Sequence, residues 1–173
     1  GSLGARSINE SVMGSIDLIR STENVIFYWQ TGKYYYKEMC DRLAAVPAVP
    51  NLTVSDFVQD MDVAYSASDL VVSRAGASSI SELCLLGKPA ILVPSPNVAE
   101  DHQTKNALAL STRGAAIHIP DSEAAERLIP EAIETVNDAD RLSSLGNKIL
   151  EMALPDSARI IAEEVLKLAK KTE

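Results

Sequence analysis

The stretch SRAGASSISELCLLGKPAILVPSP, residues 73–96, contains a loop, a helix and a buried strand in immediate succession. Apolar residues recur at helical spacing from Ile80 onward, which predicts a helix over residues 78–86 with one apolar face. Gly87 is typical of a helix end, and the run AILVP at 90–94 is short and apolar enough to be a strand buried on both faces. A helix that leads directly into such a strand indicates the repeating unit of an α/β fold.

The rest of the chain continues this alternation of short apolar runs and amphipathic segments. Further strands are predicted near residues 24–29, 52–57, 69–73 and 115–119. Helices are predicted near residues 7–21, 34–45, 60–67 and 102–112, and then in a helical C-terminal tail at about 123–171, made of 123–136, 138–152 and 157–171. Mostly apolar strands separated by helices form a parallel sheet covered on both faces. We therefore predict an α/β fold, a Rossmann-like doubly wound parallel sheet in a single domain over residues 1–173.

Composition excludes several classes of function. The 173 residues have a formal net charge of −8 and no basic tail, which argues against a nucleic acid partner. No apolar run approaches the roughly 20 residues of a spanning helix, and no secretory signal is present, so we expect a cytoplasmic protein. Cys40 and Cys84 lie in helical patterns without a CxxC or Cys/His cluster and are expected to be reduced core residues.

The start of the helix in the opening stretch has the features of an anion site. Arg74 and Gly76 precede the helix, and Ser78 and Ser79 lie in its first turn. The N–H groups of a first helical turn lack intrahelical acceptors and lie at the positive end of the dipole, so phosphate is the natural ligand. Glu82 follows Ser78 by four residues on the same face, where its carboxylate can reach a ribose diol.

A second glycine loop opens the chain, as GSLGARSINESV at residues 1–12. Such a loop admits a pyrophosphate where it joins a strand to a helix. No strand precedes it and the chain does not begin with Met, so we interpret the sequence as a fragment that lacks an upstream strand and domain. In doubly wound sheets ligands bind outside the carboxyl ends of the strands, where the polar loops DFVQDMD at 56–62 and SPNVAEDHQTKNA at 95–107 also lie.

Three motifs occur in order along the chain: GSLGARSIN at 1–9, DFVQDMDVAYSASDLVVSRAGASSISELCLLGKPAILVPSP at 56–96, and EDHQTKNA at 100–107. In order and spacing they resemble the C-terminal half of the MurG family, the bacterial peptidoglycan N-acetylglucosaminyltransferases. The resemblance implies a GT-B fold, in which two Rossmann-like domains face a cleft. It also implies transfer of GlcNAc from UDP-GlcNAc to a lipid-linked muramyl pentapeptide, with inversion at the anomeric carbon, to form lipid II.

The resemblance implies a division of labour between the two halves of such an enzyme. This half is expected to bind the UDP-GlcNAc donor and to be inactive alone. The acceptor and the membrane belong to the N-terminal domain, so we expect no direct membrane contact from this half. The full-length protein is expected to be peripheral on the cytoplasmic face of the cell membrane.

The resemblance also implies residue roles at the nucleotide. The uracil is framed by the backbone of Val58 and by Met61, and the ribose is held by Glu82. Arg74 contacts the diphosphate and stabilises it as the leaving group. The other residues expected beside the phosphates lie in the two glycine loops: Ser2, Gly4, Gly76, Ser78 and Ser79.

The sugar is expected to lie against the third motif. Gln103 should bind the GlcNAc hydroxyls, and the Ala77 N–H should share that contact. His102 stands where the family often has glutamine, and Asn106 lies close to the same loop. These residues complete the expected donor site.

We expect neither a metal nor a cofactor. The sequence DMD at 60–62 spells the DxD of metal-dependent glycosyltransferases, but Asp60 stands where a helix begins and is interpreted as its N-cap. A nicotinamide dehydrogenase would need an acidic residue after the strand, and FYWQTGK at 27–33 has none. Two alternatives remain open: a UDP-GlcNAc 2-epimerase domain, and a non-catalytic UDP-sugar-binding half of a split transferase.

Overall fold

The computed structural model describes residues 4–96 and 101–170, which form an α/β fold with parallel strands. The strands are β1 (Phe27–Gln30), β2 (Leu52–Ser55), β3 (Val71–Ser73), β4 (Ala90–Leu92) and β5 (Ile117–His118). The helices are α1 (Arg6–Gly14), α2 (Ile16–Ser21), α3 (Lys33–Ala44), α4 (Met61–Ala67), α5 (Ala77–Leu86), α6 (His102–Ser111), α7 (Ala124–Val136), α8 (Ala139–Leu150) and α9 (Ser157–Lys170). A 3-10 turn at Asp121–Glu123 leads into α7.

The predicted α/β architecture with parallel pairing is confirmed. Within the described residues β1 pairs with β2, and β3, β4 and β5 pair in that order, with every pair parallel. The strand β4 shows why the fold needs helices on both sides. Ala90 and Leu92 pack into one buried cluster, whereas Ile91 and Val93 pack into another. Side chains alternate across a strand, so an unbroken apolar run is buried only when both faces of its sheet are covered.

Several predicted boundaries are wrong, and local hydrogen bonds explain the differences. The predicted helix over residues 7–21 is divided at Ser15, whose N–H donates to the Ser11 and Val12 carbonyls where α1 ends. Gly14, just before this break, is a poor residue for a helix interior. The five strands are also shorter than predicted. The chain leaves β2 after Ser55, for example, because the Ser55 hydroxyl donates to the carbonyl of Phe57 at 2.8 Å.

The helix α5 ends at Leu86, before Gly87, as predicted from the sequence. Gly87 adopts a left-handed conformation with φ of 60°, and its N–H donates to the Cys84 carbonyl. The following N–H, of Lys88, donates to the Leu83 carbonyl, which completes the paired bonds that close many helices at glycine. The chain therefore enters the buried strand β4 through a turn of fixed geometry.

Both cysteines are free thiols, as expected from the sequence. Cys84 is buried, and burial raises the pKa of its thiol.

The C-terminal helices differ in how they pack. The helix α7 lies against α1 and buries Leu128 and Ile129, and α8 lies against α5 and buries Leu145 and Ile149. Helix α9 instead leaves most of its apolar side chains at least half exposed: Ile160, Ile161, Val165, Leu166 and Leu168. Over residues 4–96 and 101–170, no helix is both long and apolar enough to cross a bilayer.

A buried asparagine joins α1 to the end of β1. Asn9 is 1% exposed, its amide donates to the Thr31 carbonyl at 2.9 Å, and its Oδ1 accepts from Trp29 Nε1 at 2.9 Å. Trp29 is itself buried in the core formed by α1, β1, α3 and α7. The asparagine thus satisfies two polar groups that have no access to water, and it holds the helix after the first glycine loop against the sheet.

Replacing this asparagine should destabilise the fold. Asn9→Ala leaves the Trp29 N–H and the Thr31 carbonyl without a partner, so we expect the free energy of unfolding to fall by about 3 kcal/mol. Urea unfolding followed by far-UV circular dichroism measures the change. Asn147→Ala, at an exposed position of α8, is the matched control and should change the free energy by less than about 0.5 kcal/mol. Equal stabilities for the two variants would contradict the role assigned to Asn9.

Candidate functional site

A cleft of about 800 Å³ lies where the first glycine loop, the β3–α5 loop and the loops after β4 and β5 meet. Ligands of α/β sheets bind at such an edge, outside the carboxyl ends of the strands. Five of the residues predicted from sequence line it: Gly4, Arg74, Gly76, Ser79 and Gln103. The structure therefore brings together the two glycine loops and the third motif, which are far apart in the chain.

Arg74 is held in the cleft by four hydrogen bonds. Its Nη1 donates to the carbonyls of Val93 at 3.2 Å and Pro94 at 3.0 Å, and forms an ion pair with Asp121. Its Nη2 donates to the Ser7 hydroxyl at 2.9 Å, and Ser7 in turn donates to Asp121. These bonds use Nη1 and one hydrogen of Nη2, and they fix a cation among three loops. Nε and the second hydrogen of Nη2 are the remaining donors for an anion in the cleft.

The first turn of α5 supplies further donors. Gly76 is the N-cap residue, and no side chain caps the helix, so its first N–H groups have no partner from the cap. A Cβ added at Gly76 would meet nothing within 4 Å, so the backbone here is open to a close approach. Ala77 and Ser78 are exposed and Ser79 is half-buried at the cleft. This arrangement suits a phosphate group, as the sequence predicted.

The helix α6 supports the same cleft from the other side. Gln103 Oε1 accepts from the Ser95 N–H at 2.9 Å, which anchors that side chain to the chain leaving β4. Asn106 Nδ2 donates to the buried Ala75 carbonyl at 3.1 Å. Asn106 therefore braces the β3–α5 loop, while Gln103 lines the cleft. His102 is exposed at the first position of α6.

The first glycine loop lies against the end of β1. Gly4 has a φ of 81°, and a Cβ added there would lie 2.2 Å from the carbonyl oxygen of Thr31. The close approach that this glycine permits is thus to the protein's own backbone, at the rim of the cleft. Ser2 was predicted beside the phosphates and lies outside the described residues, as do residues 97–100.

The residues predicted to frame a base follow β2. The Val58 N–H donates to Gln30 Oε1 at 3.2 Å, and the side chain of Val58 is buried. Met61 begins α4 and is half-buried. Asp60 does occupy the N-cap position, but its side chain makes no capping hydrogen bond, so only the position of the predicted cap is right. Neither Val58 nor Met61 lines the cleft that holds Arg74.

Glu82 lies outside that cleft, on the exposed side of α5. Its Oε2 accepts from the hydroxyl of Tyr65 at 3.3 Å, which links α5 to α4. Burial, followed by the charge of Glu82, raises the pKa of Tyr65, so the phenol stays protonated at neutral pH and remains a donor. The carboxylate is therefore held beside the helix that begins at Met61.

The polar residues that line the cleft but were not among the predicted site residues are Arg6, Ser7, Glu10, Tyr35, Ser95 and Asp121. Arg6 and Ser7 lie at the start of α1 and within the motif GSLGARSIN at residues 1–9, which could have suggested them. Asp121 offers no such signal. It pairs with Arg74 across 47 positions, and only the parallel arrangement of β4 and β5 brings the loop after β5 to the arginine.

Among the side chains of the described residues, no three His, Cys, Asp or Glu groups gather as a metal site. Asp60 and Asp62 of the DMD sequence are both exposed. The polar groups that do line the cleft are two arginines, two carboxylates that are each paired with an arginine, hydroxyls and the amide of Gln103.

Comparison with known proteins gives relatives that are all described as glycosyltransferases. Residues 1–163 match the family described as Glycosyltransferase family 28 C-terminal domain. The UDP-N-acetylglucosamine--N-acetylmuramyl-(pentapeptide) pyrophosphoryl-undecaprenol N-acetylglucosamine transferase of Bacteroides fragilis is 57% identical over 99% of this chain. The transferase of the same name from Bacteroides thetaiotaomicron is 57% identical over 98% of this chain. These two matches span 45% and 46% of those proteins, so the chain covers a little under half of their length.

Solved structures agree in fold. The crystal structure of Acinetobacter baumannii MurG has a TM-score of 0.82 and 29% identity, covering 96% of this chain and 48% of that one. A glycosyltransferase of kitacinnamycin, at 21% identity, has a TM-score of 0.61 over 89% of this chain, and it bears on the fold alone. Together these similarities confirm the family resemblance carried by the three sequence motifs and the predicted fold class.

Proposed function

The chain belongs to the glycosyltransferase family 28 C-terminal domain family, and from that premise we propose that it is the donor-binding part of an inverting N-acetylglucosaminyltransferase. The donor is UDP-GlcNAc, and the product of the whole enzyme is lipid II of peptidoglycan synthesis. The observation that carries the proposal is the 57% identity to transferases named for this reaction, over 99% of the chain. The cleft with Arg74 and the open start of α5 supplies the chemistry that such a donor needs.

The chemical task of this part is to stabilise the leaving group. As the bond between GlcNAc and UDP breaks, negative charge grows on the β-phosphate, and donors fixed in advance stabilise it better than water does. Arg74 is held in place by its bonds to Val93, Pro94, Asp121 and Ser7. The first-turn N–H groups of α5 add partial positive charge at the same cleft. We propose that these groups supply the charge without a metal ion.

We propose the remaining contacts from the family resemblance, part by part along the donor. The backbone at Val58 and the side chain of Met61 frame the uracil, and Glu82 accepts from the ribose hydroxyls. Gly4, Gly76, Ser78 and Ser79 receive the diphosphate, with Ser2 assigned to the same part of the donor. The GlcNAc hydroxyls meet Gln103 and the Ala77 N–H, with His102 and Asn106 beside them. Gln103 is supported by its bond from Ser95, which leaves its amide N–H₂ as the donor to the sugar.

The proposed acceptor is the lipid-linked muramyl pentapeptide, bound by a part of the enzyme beyond this chain. The relatives' name includes pyrophosphoryl-undecaprenol, a lipid carrier, so we propose that the full-length enzyme works peripherally at the cytoplasmic face of the cell membrane. The described residues offer no membrane-crossing helix. No nucleic acid partner is proposed, because the chain is acidic, with a formal net charge of −8.

A calorimetric titration tests the proposal directly. We expect the chain to bind UDP and UDP-GlcNAc, to bind UDP-GalNAc more weakly because Gln103 reads the sugar hydroxyls, and to be unaffected by Mg²⁺. NADH is the negative control. Failure of the folded chain to bind UDP, or binding that requires Mg²⁺, would contradict the proposal.

The epimerase alternative is not favoured, because the relatives at 57% identity are named transferases. It makes a different prediction for the full-length protein. An epimerase would convert UDP-GlcNAc without any acceptor, whereas a transferase releases UDP only when the lipid-linked acceptor is present. Measuring UDP release with and without acceptor separates these two outcomes.

A further inference from the structure

We propose that Tyr65 is a positioning residue, which orients the Glu82 carboxylate and thereby sets the preference of the site for a ribonucleotide over a 2′-deoxyribonucleotide. The proposal rests on the proposed function, in which Glu82 accepts from the ribose hydroxyls. Tyr65 acts through Glu82 and is not assigned a contact with the donor.

The geometry of the pair supports this role. The Tyr65 hydroxyl donates to Glu82 Oε2 at 3.3 Å, from α4 to α5. Tyr65 is half-buried and packs against the core cluster that contains Leu83 and Cys84, the two residues that follow Glu82 on α5. Its ring is thus held by packing, and its hydroxyl reaches a carboxylate that is otherwise exposed.

An exposed glutamate without such a partner samples several rotamers, and binding would have to order it. Freezing a long side chain costs conformational entropy, and this cost lowers the affinity of any ligand that needs one rotamer. The bond from Tyr65 orders Glu82 before the ligand arrives. It uses Oε2, so the lone pairs of Oε1 remain to accept from the sugar.

Electrostatics keeps the tyrosine in the role of donor. Burial raises the pKa of Tyr65, and the negative charge of Glu82 raises it further. The phenol is therefore protonated throughout the neutral range and can donate to the carboxylate, 3.3 Å away.

The same bond couples two parts of the donor site. Tyr65 lies one helical turn after Met61 on α4, and Met61 is assigned to the uracil. Glu82 lies on α5, whose first turn is assigned to the phosphates. A hydrogen bond therefore links the helix that begins at the base-framing residue to the ribose-binding carboxylate on α5.

The test is Tyr65→Phe, which removes the hydroxyl and keeps the packed ring. Titrations with UDP and with 2′-deoxy-UDP give the ratio of the two affinities. We expect the variant to bind UDP about fivefold more weakly and 2′-deoxy-UDP less than about twofold more weakly, so that the ratio falls. Tyr28→Phe, at an exposed tyrosine of β1, is the matched control and should leave both affinities unchanged.

Each outcome decides the matter. A ratio of the two affinities that is unchanged in Tyr65→Phe would overturn the proposal, whether neither affinity falls or both fall equally. A purely structural residue would act on both nucleotides alike. Binding of UDP by the wild-type chain together with an unchanged ratio would leave the proposed function intact and remove only this inference. Absence of UDP binding by the wild-type chain would remove both.

Discussion

Arg74→Ala is expected to weaken UDP binding at least tenfold while leaving the affinity for uridine within about twofold. The guanidinium is held in the cleft beside the open first turn of α5, where the diphosphate is proposed to lie. Its loss removes the fixed cation, a donor to the Ser7 hydroxyl and the ion-pair partner of Asp121. Uridine carries no phosphate, so its binding should be nearly independent of this charge. Isothermal titration of the variant with both ligands measures the difference.

Two controls sharpen this test. Arg113→Ala removes an exposed arginine that does not line the cleft and should change neither affinity. Arg74→Lys keeps the charge, but an ammonium cannot bridge the carbonyls of Val93 and Pro94 and the Ser7 hydroxyl as a planar fork does, so an intermediate loss is expected. A variant Arg74→Ala that binds UDP normally would remove Arg74 from the phosphate site.

The arginine network also contributes to stability, and this effect must be separated from binding. Arg74 and Asp121 are both about one-quarter exposed or less, with side-chain exposures of 22% and 24%. Removing one partner leaves a part-buried charge and two carbonyls without their donor, which we expect to cost about 2 kcal/mol of unfolding free energy. The titrations are therefore performed well below the unfolding temperature of each variant, after circular dichroism has established that it is folded.

Glu82→Ala should abolish most binding of both UDP and uridine, with a loss of at least tenfold for each. The ribose hydroxyls are common to the two ligands, and the carboxylate is proposed to accept from both hydroxyls. Glu82 is exposed on α5, so the free energy of unfolding of the variant should differ from that of the wild type by less than about 0.5 kcal/mol. Titration with the two ligands, together with urea unfolding, checks both expectations.

The matched control for this variant is Glu126→Ala, at an exposed position in the first turn of α7, which should bind both ligands normally. Glu82→Gln keeps the length of the side chain but loses the charge, and it should bind more weakly than wild type and better than Glu82→Ala. The two sites thus have different signatures, because Arg74→Ala distinguishes UDP from uridine and Glu82→Ala does not. Identical losses for the two ligands in both variants would contradict the separation of phosphate and ribose subsites.

Local sequence carried enough information for the elements that depend on short-range patterns. The helix α5 and its end at Gly87 follow from apolar spacing and from the ability of glycine to adopt positive φ. The burial of β4 on both faces follows from its unbroken apolar run. Periodicity did not detect the break at Ser15, since the apolar pattern continues from α1 into α2 and only the backbone of Ser15 departs from the helix.

The candidate site was predictable to the extent that its residues lie in motifs. Arg74, Gly76, Ser79 and Gln103 were identified and do line one cleft. Their assignment to a nucleotide sugar depended on the family resemblance, because an arginine beside a helix start indicates an anion without specifying which one. Asp121 could not be found this way, since an aspartate after a short strand is common and its partner lies 47 residues away.

By itself the sequence determined the fold class, the family and the loops that carry polar groups, because these follow from periodicity and from motifs that are local in the chain. Only the tertiary structure decided which polar groups meet. It paired Arg74 with Asp121 and Ser7, and Glu82 with Tyr65, through contacts between different elements. The physical reason is that such contacts depend on strand order and helix packing. These arise from the burial of all apolar faces together and leave no signature in the spacing of any one segment.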